Sequence, residues 1–372
     1  MSEKRQSTIP VFVITGIGIL LLTTIIEDKR YHLSLVAHVN NLNTTWKATY
    51  NRFASRATMQ ESSSSEKNKL AAKLKKKREY SLADSIEHIK LLKSKKLNLP
   101  KQFDARLQWP LCWSIHQVAN QGECGSCWAV SAASVMSDRL CIATNYSNQN
   151  QISAEDLISC CDDCGGCQGT EWALSAFIYW RDHGIVTGGN YGSSEGCKPY
   201  TISSNCGIPC SPEDYQKKIA STCQRTCQPL YSLDYEDDLI SSQKAYFIRI
   251  AKFISAAIPS IQQKLEETIG DYDIVELIKR EIYLYGPALA CFTASVDFQH
   301  YHSGIYHIID DNANKNKIYG HCVKILGWGE ENNHKYWLYM NTWGRNWGDY
   351  GFFRVDLSEL PEDVIGGLLY ND

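Results

Sequence analysis

The chain of 372 residues is long enough for one large or two modest domains with a sizeable core. A net charge of -3 and a pI near 6.4 exclude the basic surface that a nucleic-acid partner requires. Fifteen cysteines, most of them between Cys112 and Cys227, exclude an ordinary reducing compartment; they read as a disulfide framework, and their odd number leaves at least one thiol unpaired.

At the N-terminus, Lys4 and Arg5 precede an uncharged run from Ile9 to Ile26, which the cluster Glu27-Asp28-Lys29-Arg30 closes. The run is long for a signal-peptide core and just long enough to span a bilayer, and no small-x-small cleavage site follows. Residues 1–30 are expected to be a signal anchor, with a cleaved signal peptide as the alternative and a buried soluble helix as the plainest reading. Basic residues before the run put the N-terminus in the cytosol and the rest in the lumen of the secretory pathway, lysosomal or extracellular. There Asn43-Thr-Thr and Asn145-Tyr-Ser are usable glycosylation sequons.

Residues 31–98 hold no cysteine, a serine run at 62–65 and a basic stretch from Lys67 to Arg78. Export argues against a nucleic-acid role for that stretch and for a solvated helix face. Composition changes at LNLPKQFDARLQWPLC, where proline, aromatics and cysteine begin. This marks a processing boundary between a pro-segment (31–98) and a mature domain (99–372), with a mature start between Leu97 and Pro100.

Within the mature domain, QGECGSCWAV holds two cysteines three apart, followed by small and apolar residues at helical spacing. Cys127 should therefore open a buried helix. In ISAEDLISCC, Ser153 is the expected N-cap, with Asp156 at the third helical position. Far downstream, HCVKILGWG and KYWLYMN alternate like strands. A hairpin centred near Glu330–Glu331 places His321 opposite Asn341.

Three chemistries compete for Cys124-Gly-Ser-Cys127. A dithiol redox pair needs a βαβ context that the flanks do not supply. Zinc sites built from Cys124/Cys127, Cys161/Cys164 or Cys164/Cys167 have allowed spacing, but disulfides prevail in an oxidising lumen, so no metal and no cofactor is expected. A cysteine nucleophile needs a histidine, an orienting group and an oxyanion donor, and His321, Asn341 and Gln121 are available.

CGSCW, with QGECGSCWAVSAASVMSDRLCI, ISAEDLISCC, GHCVKILGWG and NTWGRNWGDYGFF, resembles the papain-like cysteine peptidases, and of these the cathepsin B branch most. SLVAHVNNLNTTWKA resembles that branch's pro-segment and LNLPKQFDARLQWP its maturation junction. The resemblance implies a two-lobed α+β fold, with a helical lobe bearing Cys127 and a β lobe bearing His321 and Asn341, made as a zymogen that its own pro-segment inhibits. It implies an endopeptidase acting on protein or peptide substrates. Cys127 is then the nucleophile, His321 the proton carrier, Asn341 the group that orients the imidazole, and Gln121 with the Cys127 amide the oxyanion site. Trp343 and Trp347 resemble the tryptophans that shield this pair. A non-catalytic binding or matrix protein of the same fold is the alternative.

The resemblance also assigns six bridges to Cys112, Cys124, Cys141, Cys160, Cys161, Cys164, Cys167, Cys197, Cys206, Cys210, Cys223 and Cys227. Among these Cys206–Cys210 pairs, and Cys197 pairs with Cys223 or Cys227. Cys291 and Cys322 are left over at positions that resemble the wall of the S2 pocket, either bridged or as two buried thiols. Asp363, beside Glu362, resembles the acid that admits arginine at P2.

The chain departs from the pattern in four places. The substrate-pairing Gly-Gly is Gly169-Thr170. His321 follows Cys127 by 194 residues, against the usual ~130 to 150. Two insertions carry the excess, Cys197–Cys227 where cathepsin B has its occluding loop, and an amphipathic stretch from Ala256 to Gly270. The former holds no histidine, and Lys217, Lys218 and Arg225, its candidates to replace that cation, form no adjacent histidine-type pair, so weak or absent dipeptidyl-carboxypeptidase activity is expected.

Overall fold

Small and apolar residues fall on every side of the helix that CWAVSAASVMSDRLCIA forms, so its place is at the centre of the molecule. In the computed structural model that helix spans Cys127–Ala143 and is buried along nearly its whole length. Described are residues 11–54, 81–170, 172–210, 214, 220–250, 263, 265, 267–309 and 317–370. The serine run, the basic stretch and most of the 256–270 insertion therefore lie outside the described residues, as do Lys217 and Lys218.

Helices Ala154–Cys160 and Leu174–His183 join the central helix to form the helical lobe. Ser153 caps the first of these, its hydroxyl accepting from the Asp156 amide at 2.9 Å. The Asp156 carboxylate does not reach back to complete a box. It accepts instead from Lys198 Nζ at 2.8 Å and from the Tyr235 hydroxyl at 3.0 Å, pinning the chain beyond Cys197.

The β lobe is a nine-stranded sheet among the described residues: β1 (Trp46–Ala48), β2 (Phe103–Asp104), β3 (Lys244–Arg249), β4 (Ala288–Ser295), β5 (Tyr301–Tyr306), β6 (Lys317–Glu331), β7 (His334–Met340), β8 (Phe352–Asp356) and β9 (Asp363–Leu368). Its spatial order is β1-β5-β8-β7-β6-β4-β9-β3, with β2 on β6. The β6–β7 hairpin turns at Asn332–Asn333, not at Glu330–Glu331, because both asparagines take the left-handed conformation (φ 51° and 66°) that a tight hairpin turn requires. A register shift between Ile325 and Gly327 adds one more residue. His321 and Asn341 are thus not opposed across the ladder: His321 faces Phe292 of β4, and β7 ends before Asn341.

Seven disulfides hold these parts: Cys112–Cys141, Cys124–Cys167, Cys160–Cys223, Cys161–Cys164, Cys197–Cys227, Cys206–Cys210 and Cys291–Cys322. Cys197 takes Cys227 because Cys223 is bound to Cys160. Every cysteine considered for zinc, other than Cys127, is oxidised. Cys127 alone is free.

The N-terminal helix spans Val11–Asn41, and among the described residues no helix is long and apolar enough to cross a membrane, so the anchor reading of residues 9–26 gains no support. Beyond it, β1 adds to the outer edge of β5, and a helix over 81–94 lies on the opposite edge of the sheet. Asn43 and Asn145 are both exposed.

Candidate active site

Cys127 is the first residue of the central helix, where unpaired backbone N–H groups and the helix dipole favour negative charge. Burial pushes its thiol up to about 11, against hydrogen bonds from the backbones of Cys322, Trp128 and Cys127 itself. Ser131, one turn on, donates to the Cys322 carbonyl at 3.0 Å. The helix N-terminus is thereby fastened to β6 at the residue that follows His321.

His321 Nε2 lies 2.7 Å from Asn341 Oδ1. That oxygen also accepts from the Thr342 amide at 2.7 Å, which fixes the orientation of the side-chain amide, since an NH₂ group could not accept there. Nε2 must then carry the imidazole hydrogen, which makes Nδ1 the basic nitrogen. Burial draws His321 down to about 4, with the Asn341 bond acting upward. The Trp343 ring stacks on the imidazole at 4.6 Å between centroids, and Trp347 meets Trp343 edge-on at 5.0 Å, so water is kept from the pair.

Gln121 is nearly fully buried. Its Oε1 accepts from the Thr342 hydroxyl at 2.6 Å, and Nε2 donates to the Cys124 carbonyl at 2.9 Å. Each amide NH₂ has two hydrogens, so a second donor remains on Nε2. Gln121, Thr342, Asn341 and His321 form one hydrogen-bonded chain. Thr342 at its centre was not legible, because a threonine beside a candidate asparagine carries no motif of its own. Tyr200 was missed too: its hydroxyl donates to the Gln121 carbonyl at 2.7 Å and meets Ser126 Oγ at 2.7 Å, bracing the turn that leads into Cys127.

The remaining positions gather around this centre. The Cys124–Cys167 bridge draws the irregular segment at Gly169 and Thr170 beside the turn, where the Gly125 amide donates to the Cys167 carbonyl at 2.9 Å. A Cβ on Gly125 would stand 2.6 Å from that carbonyl oxygen, so only glycine fits. Cys291, Cys322 and Asp363 lie side by side across β4, β6 and β9, with Cys291 in register with both. Cys291 and Cys322 are bonded rather than two thiols, their Cα atoms 4.1 Å apart. Glu362 is occupied: its carboxylate accepts from the Thr293 hydroxyl at 2.8 Å.

The sequence pattern of the family described as "Papain family cysteine protease" matches residues 99–360. Cathepsin B-like cysteine proteinase 3 of Caenorhabditis elegans is 37% identical over 277 residues, covering 73% of this chain and 66% of that protein. Cathepsin B-like cysteine proteinase of Schistosoma japonicum is 36% identical over 286 residues, covering 73% of this chain and 74% of that one. Among solved structures, proCathepsin B S9 from Trypanosoma congolense superposes with a TM-score of 0.61 at 25% identity, covering 91% of this chain and 98% of that chain. The chain belongs to the papain family of cysteine proteases. Within that family it is a cathepsin B-like cysteine peptidase made as a zymogen, and its seven bridges require an oxidising compartment.

Proposed function

We propose that the chain is an endopeptidase in which Cys127 attacks the scissile carbonyl as a thiolate. Burial disfavours either charge alone, but a thiolate at the helix N-terminus and an imidazolium beside it offset one another. Attack forms the acyl-enzyme, His321 Nδ1 protonates the departing amine, and water then releases the acyl group. The second hydrogen of Gln121 Nε2 and the Cys127 amide take the oxyanion. The observation that carries this reading is the orientation of His321: its Nε2 is held by Asn341, which leaves Nδ1 for the sulfur. The test is labelling by an epoxide thiol inhibitor after removal of the pro-segment. A single adduct on Cys127, lost in Asn341→Ala at pH 6, is expected. No adduct in the processed wild type leaves a non-catalytic binding role.

We also infer weak or absent dipeptidyl-carboxypeptidase activity. The loop bounded by Cys197 and Cys227 holds no histidine, and none occurs between His183 and His300. A buried charged grip on a terminal carboxylate, worth roughly 2 to 5 kcal/mol, is therefore missing. Cleavage of a substrate ending in a free carboxylate at P2′ is compared with its amide at pH 5; equal rates are expected, and a preference of about tenfold or more for the acid refutes the inference. Residues 31–98 as pro-segment, a mature start at 97–100, lumenal or lysosomal residence and an S2 pocket narrowed by Cys291–Cys322 with Asp363 at its rim belong to the same reading.

A further inference from the structure

The last helix before the maturation junction, over 81–94, packs on the edge of the sheet and into the core. Strand β3 ends the sheet, and its four central residues are all buried, which requires cover on both faces and along its free edge. The 81–94 helix supplies the edge cover. The outward amide of Phe247 donates to Ser85 Oγ at 3.0 Å and that of Ala245 to Asp84 Oδ2 at 3.4 Å. Asp84 is paired with Arg181 at 2.9 Å.

In its middle the helix completes the hydrogen bonding of a buried ion pair. Glu281, on helix Ile274–Tyr285, and Arg139, on the central helix, are buried and paired at 2.7 Å. His88 meets the other Glu281 oxygen at 2.6 Å and stacks on Tyr246 of β3 at 3.8 Å between centroids. Although burial opposes it, His88 and then Arg139 draw the Glu281 carboxyl down to about 2. Ile89 and Leu92 are wholly buried beside this cluster. At the far end Arg280 donates to the carbonyls of Leu92 and Lys95, and Lys93 Nζ to that of Ile269, at the close of the 256–270 insertion. Lys93 to Lys96, by contrast, are exposed.

We propose that the 81–94 helix is a permanent structural part of the catalytic domain, retained as a non-covalent chain after cleavage at the exposed junction, with Lys93 tying its end to the Ile269 carbonyl. This rests on cleavage occurring near residues 93–100, not on peptidase activity, so the test supplies the cuts from outside. In full-length chain carrying Cys127→Ala, recognition sequences for a site-specific protease replace the serine run 62–65 and Ser94–Lys96. After both cuts, native mass spectrometry and gel filtration follow the three pieces.

The expected result is that the middle piece stays on the catalytic chain one to one, and that the melting temperature of the cut complex falls on dilution while that of the uncut chain does not. Asp84→Ala with Ser85→Ala, which removes the edge bonds and leaves the apolar face, should weaken retention about tenfold or more. Loss of the middle piece from a remainder that stays folded, monomeric and equally stable overturns the proposal. Loss of the middle piece with aggregation of the remainder also overturns it, because the helix is then not retained.

Discussion

In the proposed mechanism Thr342 acts at one remove from the reacting atoms. Its amide fixes Asn341, which fixes the His321 tautomer, while its hydroxyl fixes Gln121. Thr342→Val keeps the volume and the backbone amide but removes the hydroxyl. The Gln121 carbonyl oxygen then lacks its donor, so Nε2 loses the aim that the proposed oxyanion role requires. A fall in kcat of about 10-fold is expected with KM nearly constant, whereas Gln121→Ala, which removes the donor itself, should cost roughly 10² to 10³. Steady-state kinetics on a peptide substrate distinguish the two, and a Thr342→Ser enzyme should recover most of the rate. The four catalytic candidates were legible because thiol, imidazole and amide each sit in a distinctive string. Thr342 and Tyr200 were not, because a hydroxyl between two other polar groups is defined only by the folded contact.

At the level of elements, the helix opened by Cys127 and the cap at Ser153 follow from local spacing, and both form as local rules demand. The β6–β7 register does not follow, since it depends on which asparagines adopt positive φ and on a bulge that alternation cannot reveal. What joins the lobes was equally hidden. Lys324, on β6 just beyond His321, is fully buried and pairs with Asp138 of the central helix at 2.7 Å, with Ser134 and the Ser114 carbonyl taking its other hydrogens. Burial pushes Asp138 up and Lys324 down, and each partner opposes the shift of the other. In a sequence, a lysine inside ILGWG-type apolar flanks looks like a break in the pattern, not a tie. Asp138→Ala leaves a buried uncompensated ammonium, which should cost roughly 3 to 5 kcal/mol in chemical denaturation. Replacing both partners, as Asp138→Leu with Lys324→Met, should recover much of that loss while activity still falls, because the helix and β6 are then registered by shape alone.

Across the whole molecule, the amino-terminal arm and the mature domain meet at a pair of buried imidazoles. His300, on the turn Asp297–His300, accepts from the Asn51 amide at Nδ1, 3.0 Å, so its hydrogen is on Nε2 and points at His32 Nδ1, 3.0 Å away on the Val11–Asn41 helix. Tyr50 stacks over His300, Tyr31 meets His32 edge-on, and Asp28 lies 3.6 Å from His32 Nε2. A proton added to His300 must displace the Asn51 bond, and one added at His32 Nδ1 sets two donors face to face. Asp28 favours a charged His32, so it works against the effect, but from a half-exposed position. Burial, and then His32, bring His300 down to about 4 from an ordinary 6.5. A depressed value means that the released arm takes up the proton that the docked arm refuses. Docking is therefore undiminished above about pH 6.5 and weakens steadily as pH falls toward 4, by about 3 kcal/mol in all. In the Cys127→Ala chain, hydrogen-exchange protection across residues 46–54, corrected for intrinsic rates, should drop by roughly two orders of magnitude over that interval. His300→Asn, which retains an acceptor and a donor but cannot charge, should flatten the profile. An unchanged slope in that variant would assign the acid sensitivity to groups other than this pair.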